Sequence, residues 1–389
     1  MANWLDQKIY HPGPASLNGE VGLHALIMLP PSGSSEAEQW VAAGRRACAQ
    51  DLAQRLISAR GIEQVIAIVA SAEDHDSLSE IGIATRMSLP GKFHFGSALA
   101  ELINEEEIQN LAYFGGASAP LLEQSKIDQM FEKVQSAKEP YAIANNLHST
   151  DWMIIKGADL IAAHSHRLPS DNPLGWVLSR EAGMQVESLE PSAATRLDID
   201  TPTDLFMAIK HPAVGPELGK FLKEISSEVR IKMEAIRSVI TKPASTLVVI
   251  GRASEHLWKT LVASTQIWVR LYVEERGMVA SHRLANGEVR SLIGQMLDLC
   301  GPEDFVERLS TMADGTLWDT RVWMGTLTEW PSDADRFSAD LGWSEQVHNP
   351  WLRTLTEVVN RTEMPIICGG YGVVGGGLYA LLESLQTEE

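Results

Sequence analysis

The chain has 389 residues, 44% hydrophobic and 21% charged, which is enough apolar material for two cores and too much for a disordered protein. Its 51 acidic side chains outnumber 32 basic ones, a formal charge of −19; nucleic acid and anionic membranes are held by clustered Lys and Arg, so neither is an expected partner. Cys48, Cys300 and Cys368 are too few and scattered for a disulfide framework or a zinc site, no apolar run approaches the roughly 20 residues of a membrane span, and Met1–Gly22 lacks the apolar core of a signal peptide. A cytoplasmic protein acting on small molecules is expected.

From Leu23 the sequence alternates short apolar runs with longer helix-like stretches, the pattern of an α/β domain with a largely parallel sheet. Leu23–Leu29 reads as the first strand. It ends on Pro30-Pro31-Ser32-Gly33, a loop opening a helix through Trp40–Ile57. Strands follow at Gln64–Ala70, Arg86–Leu89 and Asn110–Phe114, with a helix over Gly96–Ile103. Gly115-Gly116-Ala117-Ser118-Ala119-Pro120 closes the last of these. Ser125–Val134 has helical spacing, Tyr141–Ala144 is extended, and Gly157–Ala163 and Pro173–Gly183 are helical. Met184–Leu189 is a late strand before Asp198-Ile199-Asp200-Thr201-Pro202. With Thr201 as cap, Pro202 in the first turn and Asp204 close behind, Thr203–Ile209 forms a helix.

His211-Pro212 and Gly215-Pro216 then break the chain, which gives an expected first domain over 1–210. Leu218, Phe221, Leu222, Ile225, Val229, Met233, Ile236 and Ile240 recur at spacings of 3 and 4, predicting one amphipathic helix of about seven turns in a linker over 211–245. A second α/β domain is expected over 246–389. Its strands are Thr246–Ile250, Ile267–Val273, Leu317–Met324 and Pro365–Cys368, and its helices lie at Glu255–Ser264, Val289–Leu299 and Leu378–Leu385. Seven of the 11 Trp fall after residue 250, so its core should be the more aromatic.

Arg196-Leu197-Asp198-Ile199-Asp200-Thr201-Pro202 is the most informative stretch. Carboxylates at i and i+2 of an extended segment point to one side, and Mg²⁺ prefers such oxygen ligands; the same residues would also serve as a solvated strand end before a helix. The run DIDTPTDL, placed after LGWVLSREAGM, together with LAYFGGASAPLL at Leu111–Leu122, resembles the nucleotidyltransferases related to molybdenum-cofactor guanylyltransferase and 2-phospho-L-lactate guanylyltransferase. The resemblance spans about residues 20–210. It implies a glycosyltransferase-A-like, Rossmann-like nucleotidyltransferase domain, and Mg²⁺-dependent transfer of a nucleotidyl group from a nucleoside triphosphate to a small acceptor, releasing pyrophosphate. It makes Asp198 and Asp200 the candidate metal ligands and catalytic residues. Gly115, Gly116 and Ser118 become the loop beneath nucleotide or acceptor, and Asn145, Asn146 and Asp151 the acceptor side. Two departures stand out. The family's first loop is Gly-rich with Arg and Lys, whereas Pro30-Pro31-Ser32-Gly33-Ser34-Ser35-Glu36 has one glycine and no cation. Ser118 also stands where the family has an aspartate. A non-catalytic ligand-binding or scaffold protein, and a nucleotide-sugar glycosyltransferase, are the alternative readings.

Other constellations say less. His148-Ser149-Thr150-Asp151 suits acceptor hydrogen bonding better than a catalytic triad, whose members meet through space. His164-x-His166 lacks a third metal ligand. Asp333-Ala334-Asp335-Arg336, after Pro331-Ser332, reads as the acidic first turn of a helix. Gly370, Gly372 and Gly375 form G-x-G-x-x-G between a strand and a helix, a phosphate-loop order that equally suits tight helix packing. Gly251-Arg252 with Glu274-Glu275 has the spacing of a ribose site but lacks further glycines. Residues 211–300 carry 12 basic and 9 acidic side chains, so Lys242, Arg252, Lys259 and Arg270 are candidates for the cations missing from the first loop. The second domain is expected to supply acceptor specificity, a second activity or homo-oligomer contacts.

Overall fold

All six side chains of Leu23–Met28 are buried, as a strand covered on both faces requires. This strand is central to a sheet in the computed structural model of the protein, which describes residues 22–88 and 93–386. The reading of Met1–Gly22 thus falls almost wholly outside the described residues, as does Leu89. The chain folds as two α/β units. The first comprises the described residues of 22–32, 45–198 and 215–218, and the second those of 33–44, 199–214 and 219–386.

The first unit is built on seven strands: β1 (Leu23–Met28), β2 (Ile62–Val69), β3 (Ala84–Met87), β4 (Asn110–Gly115), β5 (Tyr141–Ala144), β6 (Trp152–Lys156) and β7 (Gln185–Ser188). Their order is β3-β2-β1-β4-β6-β5-β7. Only β6 is antiparallel, against both β4 and β5. Its run Trp152–Lys156 was not read as a strand, and neither was the helix α2 (Ala72–Glu80). The other helices are α1 (Glu36–Ser58), α3 (Phe95–Glu105), α4 (Gln124–Ser136), α5 (Asp159–Ala163), α6 (Leu174–Arg180) and α7 (Ala193–Arg196). They cover both faces. Leu23, Ala25 and Ile27 pack with Leu52 and Leu56 of α1 and Phe131 of α4, while Leu26 and Met28 pack with Leu99 and Leu102 of α3 and Leu174 of α6. The order β3-β2-β1-β4 reverses direction between β1 and β4. At such a switch point the crevice outside the strand carboxyl ends is where doubly wound folds bind ligands.

Besides the start of α1, up to Gly44, the second unit holds α8 (Pro202–Met207), all but the first residues of α9 (Pro216–Lys223), and α10 (Ser227–Thr241). The expected seven-turn helix is therefore two helices, because Ser226 turns its side chain onto Val229 N and caps a fresh start. The sheet order is β11-β10-β8-β9, all parallel, from β8 (Thr246–Gly251), β9 (Trp268–Val273), β10 (Gly315–Asp319) and β11 (Ile366–Gly369). The expected strand Leu317–Met324 stops at Asp319, and Arg321–Met324 is instead one turn of helix, α13. Three helices match their expected positions: α11 (Glu255–Ser264), α14 (Asp333–Leu341, capped by Ser332) and α16 (Gly376–Gln386). Two others are longer than expected or new. α12 (Leu292–Met312) bends where Gly301, at φ 77°, precedes Pro302, and α15 (Pro350–Arg361) follows Asn349 as cap. Val248, Ile250 and Trp318 pack under α12 and α15 in a core that also holds Trp323 and Phe305. The expected aromatic weighting is not realised: the cores of the first unit hold Phe95, Tyr113, Phe114, Phe131, Tyr141 and Trp152, whereas Trp258, Trp268, Trp330, Trp343 and Trp351 are not buried.

Candidate functional site

The carboxyl ends of β1 and β4 are joined by a hydrogen bond from Gly116 N to Met28 O (2.7 Å), and Ser118 N returns to Gly115 O (2.7 Å). This tight loop places Gly116, Ala117 and Ala119 at φ 45°, 69° and 55°. Two alanines in the left-handed region are strained, and such strain persists where the surroundings over-determine a functional loop. A Cβ on Gly115 would come within 2.5 Å of the Tyr113 hydroxyl and 2.9 Å of Asp171 Oδ2, so only glycine fits; above Gly116 nothing lies within 4 Å. At Gly116 the loop therefore offers bare backbone to open space.

Opposite it, Asn145 is buried and fully engaged. Its Oδ1 accepts from Asp151 N (3.0 Å) and Trp152 N (3.2 Å), and its Nδ2 donates to Asp151 Oδ2 (2.8 Å) and Thr195 O (3.2 Å). Asn145 is thus the clamp that orients Asp151. Asp151 O in turn accepts from Gly115 N at 2.8 Å. Asn146 Oδ1 accepts from His148 N (3.2 Å), and Ser149 donates to Asn172 Oδ1 (2.8 Å) rather than to a histidine, so no triad forms. Arg196 donates to the carbonyls of Asn145 and Leu189.

The two motifs behind the family resemblance meet here, because Ser118 and Asp198 pair as an isolated antiparallel bridge. Ser118 Oγ is buried with no hydrogen-bond partner among the described residues. Along Leu197–Asp200 burial alternates, with Leu197 and Ile199 buried, Asp198 half-buried and Asp200 exposed, as the i, i+2 reading required. Gly115, Gly116, Ser118, Asn145, Asn146, Asp151 and Asp198 all lie in the first unit, and Asp200 belongs to the second. Sequence reasoning missed Asp171, which accepts from the Tyr113 hydroxyl at 2.9 Å. Burial, and then Asp171, raises the Tyr113 phenol well above its ordinary range and keeps it a donor. The Asp171-Asn172-Pro173 turn was the available signal.

In the second unit Asp200 N and Thr201 N both donate to Asp204 Oδ2, at 3.1 and 2.7 Å, the latter part of the capping box of α8. The glycine loop packs on this helix. Cβ atoms on Gly369, Gly370 and Gly372 would strike Thr203, Thr201 and Asp204 respectively. The bare sides of Gly370 and Gly372 are thus filled by protein, while a Cβ on Gly375 would meet Tyr371. Three of the four proposed cations are engaged locally: Arg252 with Asp319, Lys259 with Glu255, and Arg270 with Met312 O. Among the described residues there is no group of three or more His, Cys, Asp or Glu placed for a metal, and no helix long and apolar enough to cross a membrane.

No family model and no curated protein matches the chain. Solved structures similar to it include a cytidylyltransferase from Leptospira borgpetersenii (13% identical, covering 53% of this chain and 93% of that one, TM-score 0.36). A nucleotidyl transferase from Methanothermobacter thermautotroptrophicus is 15% identical over 47% of this chain and 94% of its own, with a TM-score of 0.35. A 4-diphosphocytidyl-2C-methyl-D-erythritol synthase is 13% identical over 48% and 95%, with a TM-score of 0.32.

Proposed function

We propose that the first unit is a glycosyltransferase-A-like nucleotidyltransferase that moves a nucleotidyl group from a nucleoside triphosphate to a small acceptor and releases pyrophosphate. The observation that carries the reading is the Ser118–Asp198 bridge, which unites the GGASAP loop and the DIDTP segment at the β1–β4 switch point. Asp198, Ser118 and Asp151 would offer a carboxylate, a hydroxyl and a second carboxylate, all hard oxygens that suit Mg²⁺. Mg²⁺ commonly uses only one or two protein carboxylates and completes its shell with water and phosphate, so the lack of a three-ligand cluster does not conflict with it. Asp198 would hold the ion. When bound, it neutralises charge building on the phosphates during in-line attack.

The chain's own residues do the rest. Gly116 lets the phosphates or acceptor approach backbone without a side chain in the way, while Gly115 makes room for the Tyr113 hydroxyl and Asp171 beside it. Asn145 fixes the Asp151 carboxylate through Nδ2, and that carboxylate would accept a hydrogen bond from an acceptor hydroxyl. Pyrophosphate release across a panel of nucleoside triphosphates, with and without Mg²⁺, tests the reading. Turnover lost in Asp198→Asn, with folding retained, supports it; no Mg²⁺-dependent triphosphate binding by calorimetry overturns it. Ser118, standing where the family has a carboxylate, favours a second reading in which the unit binds a nucleotide without turning it over; binding without release for every triphosphate would identify that case.

A further inference from the structure

In a parallel sheet both faces are normally covered and edge strands are shielded by charge, proline or a bulge. The edge strand β9 of the second unit, WVRLYV, has no proline, no register shift against β8, and a single charge, Arg270. Its register with β8 sets Arg270 beside Val248 and Tyr272 beside Ile250, so Trp268, Arg270 and Tyr272 share the face on which α12 and α15 build the core. That helical cover stops short of the edge, leaving Trp268 69% exposed and Tyr272 partly open, while Val273, on the opposite face, is 59% exposed. The strand's single charge is drawn aside, since Arg270 donates to Met312 O at 2.6 Å.

Beside this open face runs α12. Ser291, its cap, is bonded to Glu274 just past the end of β9, and its far end carries the Met312 carbonyl that Arg270 reaches, so helix and strand lie antiparallel. Leu292, Met296 and Leu299, at i, i+4 and i+7, form an outward apolar stripe, with Leu292 75% and Leu299 83% exposed. The right-handed crossovers β8–α11–β9 and β9–α12–β10 run in opposite directions and so place α11 on the other face. There Trp258 and Val262 of α11 are exposed as well. β9 is therefore an open edge with apolar side chains on both flanks.

We propose that β9, with the outer sides of α11 and α12, is the interface of a two-fold homodimer in which two copies of this chain continue one sheet across an antiparallel β9–β9 pair. The backbone supports it. Trp268 N and Glu274 N donate inward to Ser245 O and Gly251 O, so by strand alternation the N–H groups of Val269, Leu271 and Val273 face the open edge. An antiparallel edge pair about a two-fold axis is self-complementary, as an isologous contact requires. Scaled to ordinary side-chain areas, the exposed apolar groups amount to roughly 800 Å² per copy, the size of a standard stable interface.

The test is sedimentation equilibrium of the full chain at micromolar concentration in an analytical ultracentrifuge. Wild type is expected at twice the 42.7 kDa chain mass. Leu299→Asp alters an exposed helix position and Val273→Pro removes an outward N–H without touching the internal ladder; both should sediment at the single-chain mass with unchanged circular dichroism. Trp268→Glu provides a third variant, at the start of β9. A monomeric wild type, or a dimer that persists in all three folded variants, overturns the proposal.

Discussion

Ser118 and Asp198 face each other across an isolated antiparallel bridge, 80 positions apart in the sequence. The bridge seats the serine in a buried position where its hydroxyl finds no partner among the described residues. A buried hydroxyl without a hydrogen bond carries its desolvation cost of about 1–3 kcal/mol uncompensated.

Ser118→Ala is accordingly expected to be neutral or to stabilise the first unit by up to about 1 kcal/mol, since it removes the unsatisfied group and leaves the backbone bridge in place. Chemical denaturation of the variant against wild type measures this. A loss larger than about 1 kcal/mol would mean that the hydroxyl has a partner worth keeping.

Asp204 ties stability to pH. Burial first, and the Asp200 carboxylate second, push its carboxyl up to about 7. In the unfolded chain an aspartate titrates near 3.9. Between these values the folded state holds a proton that the unfolded chain releases, so the stabilising contribution is fully present below about pH 4 and lost as pH rises through about 7. Asp204→Asn removes the titration. The stability difference, wild type minus variant, should therefore fall by a few kcal/mol between about pH 5 and about pH 8. Unfolding followed by the tryptophans of the second core reads it, and a difference that does not change with pH would refute the assignment.

Gly372 and Asp204 should also be energetically coupled. A Cβ at Gly372 would sit 1.7 Å from Asp204 Oδ1, which is buried without a hydrogen-bond partner among the described residues. Gly372→Ala is expected to cost about 2 kcal/mol or more in wild type, and clearly less in an Asp204→Ala background, where the clashing atom is gone. A double-mutant cycle checks this; additive costs would show that the glycine is needed for another reason.

These relationships divide what the sequence made legible from what it concealed. The first strand, Glu255–Ser264, Tyr141–Ala144 and the Thr201–Pro202 helix start were readable because apolar runs, caps and proline act locally. β6 was hidden because its five residues follow a polar cluster and owe their extended form to pairing with β4 and β5, which lie elsewhere in the chain. The run Leu317–Met324 looked like one strand, yet its backbone turns at Thr320 so that Arg321 can enter the core. No periodicity reports such a turn. Of the candidate site, the residue types at Gly115, Asp151 and Asp198 were visible, but the Asn145 clamp on Asp151 is a through-space arrangement. The G-x-G-x-x-G letters fit both a phosphate loop and a packed helix, and only the positions of Thr201 and Asp204 show what fills the space beside Gly370 and Gly372.

The buried pair Arg321 and Asp340 gives the most direct stability test of the second unit. Arg321 Nη1 and Nη2 donate to Asp340 Oδ1 and Oδ2 at 3.0 and 2.6 Å, and both side chains are almost wholly buried. Two charges taken out of water cost several kcal/mol each, which a bidentate pair largely offsets. Removing one partner strands the other. Arg321→Met or Asp340→Leu alone is expected to destabilise by about 3–5 kcal/mol, whereas the double replacement, which leaves no orphaned charge between them, should recover much of that loss. Asp319 adds an asymmetry: its Oδ1 accepts from Arg321 N and its carboxylate is held by Arg252, so it keeps a cation after Arg321 is replaced. The coupling energy from denaturant unfolding of the two single variants and the double should therefore be favourable and larger than about 1 kcal/mol; simple additivity would show the pair to be energetically independent despite its geometry.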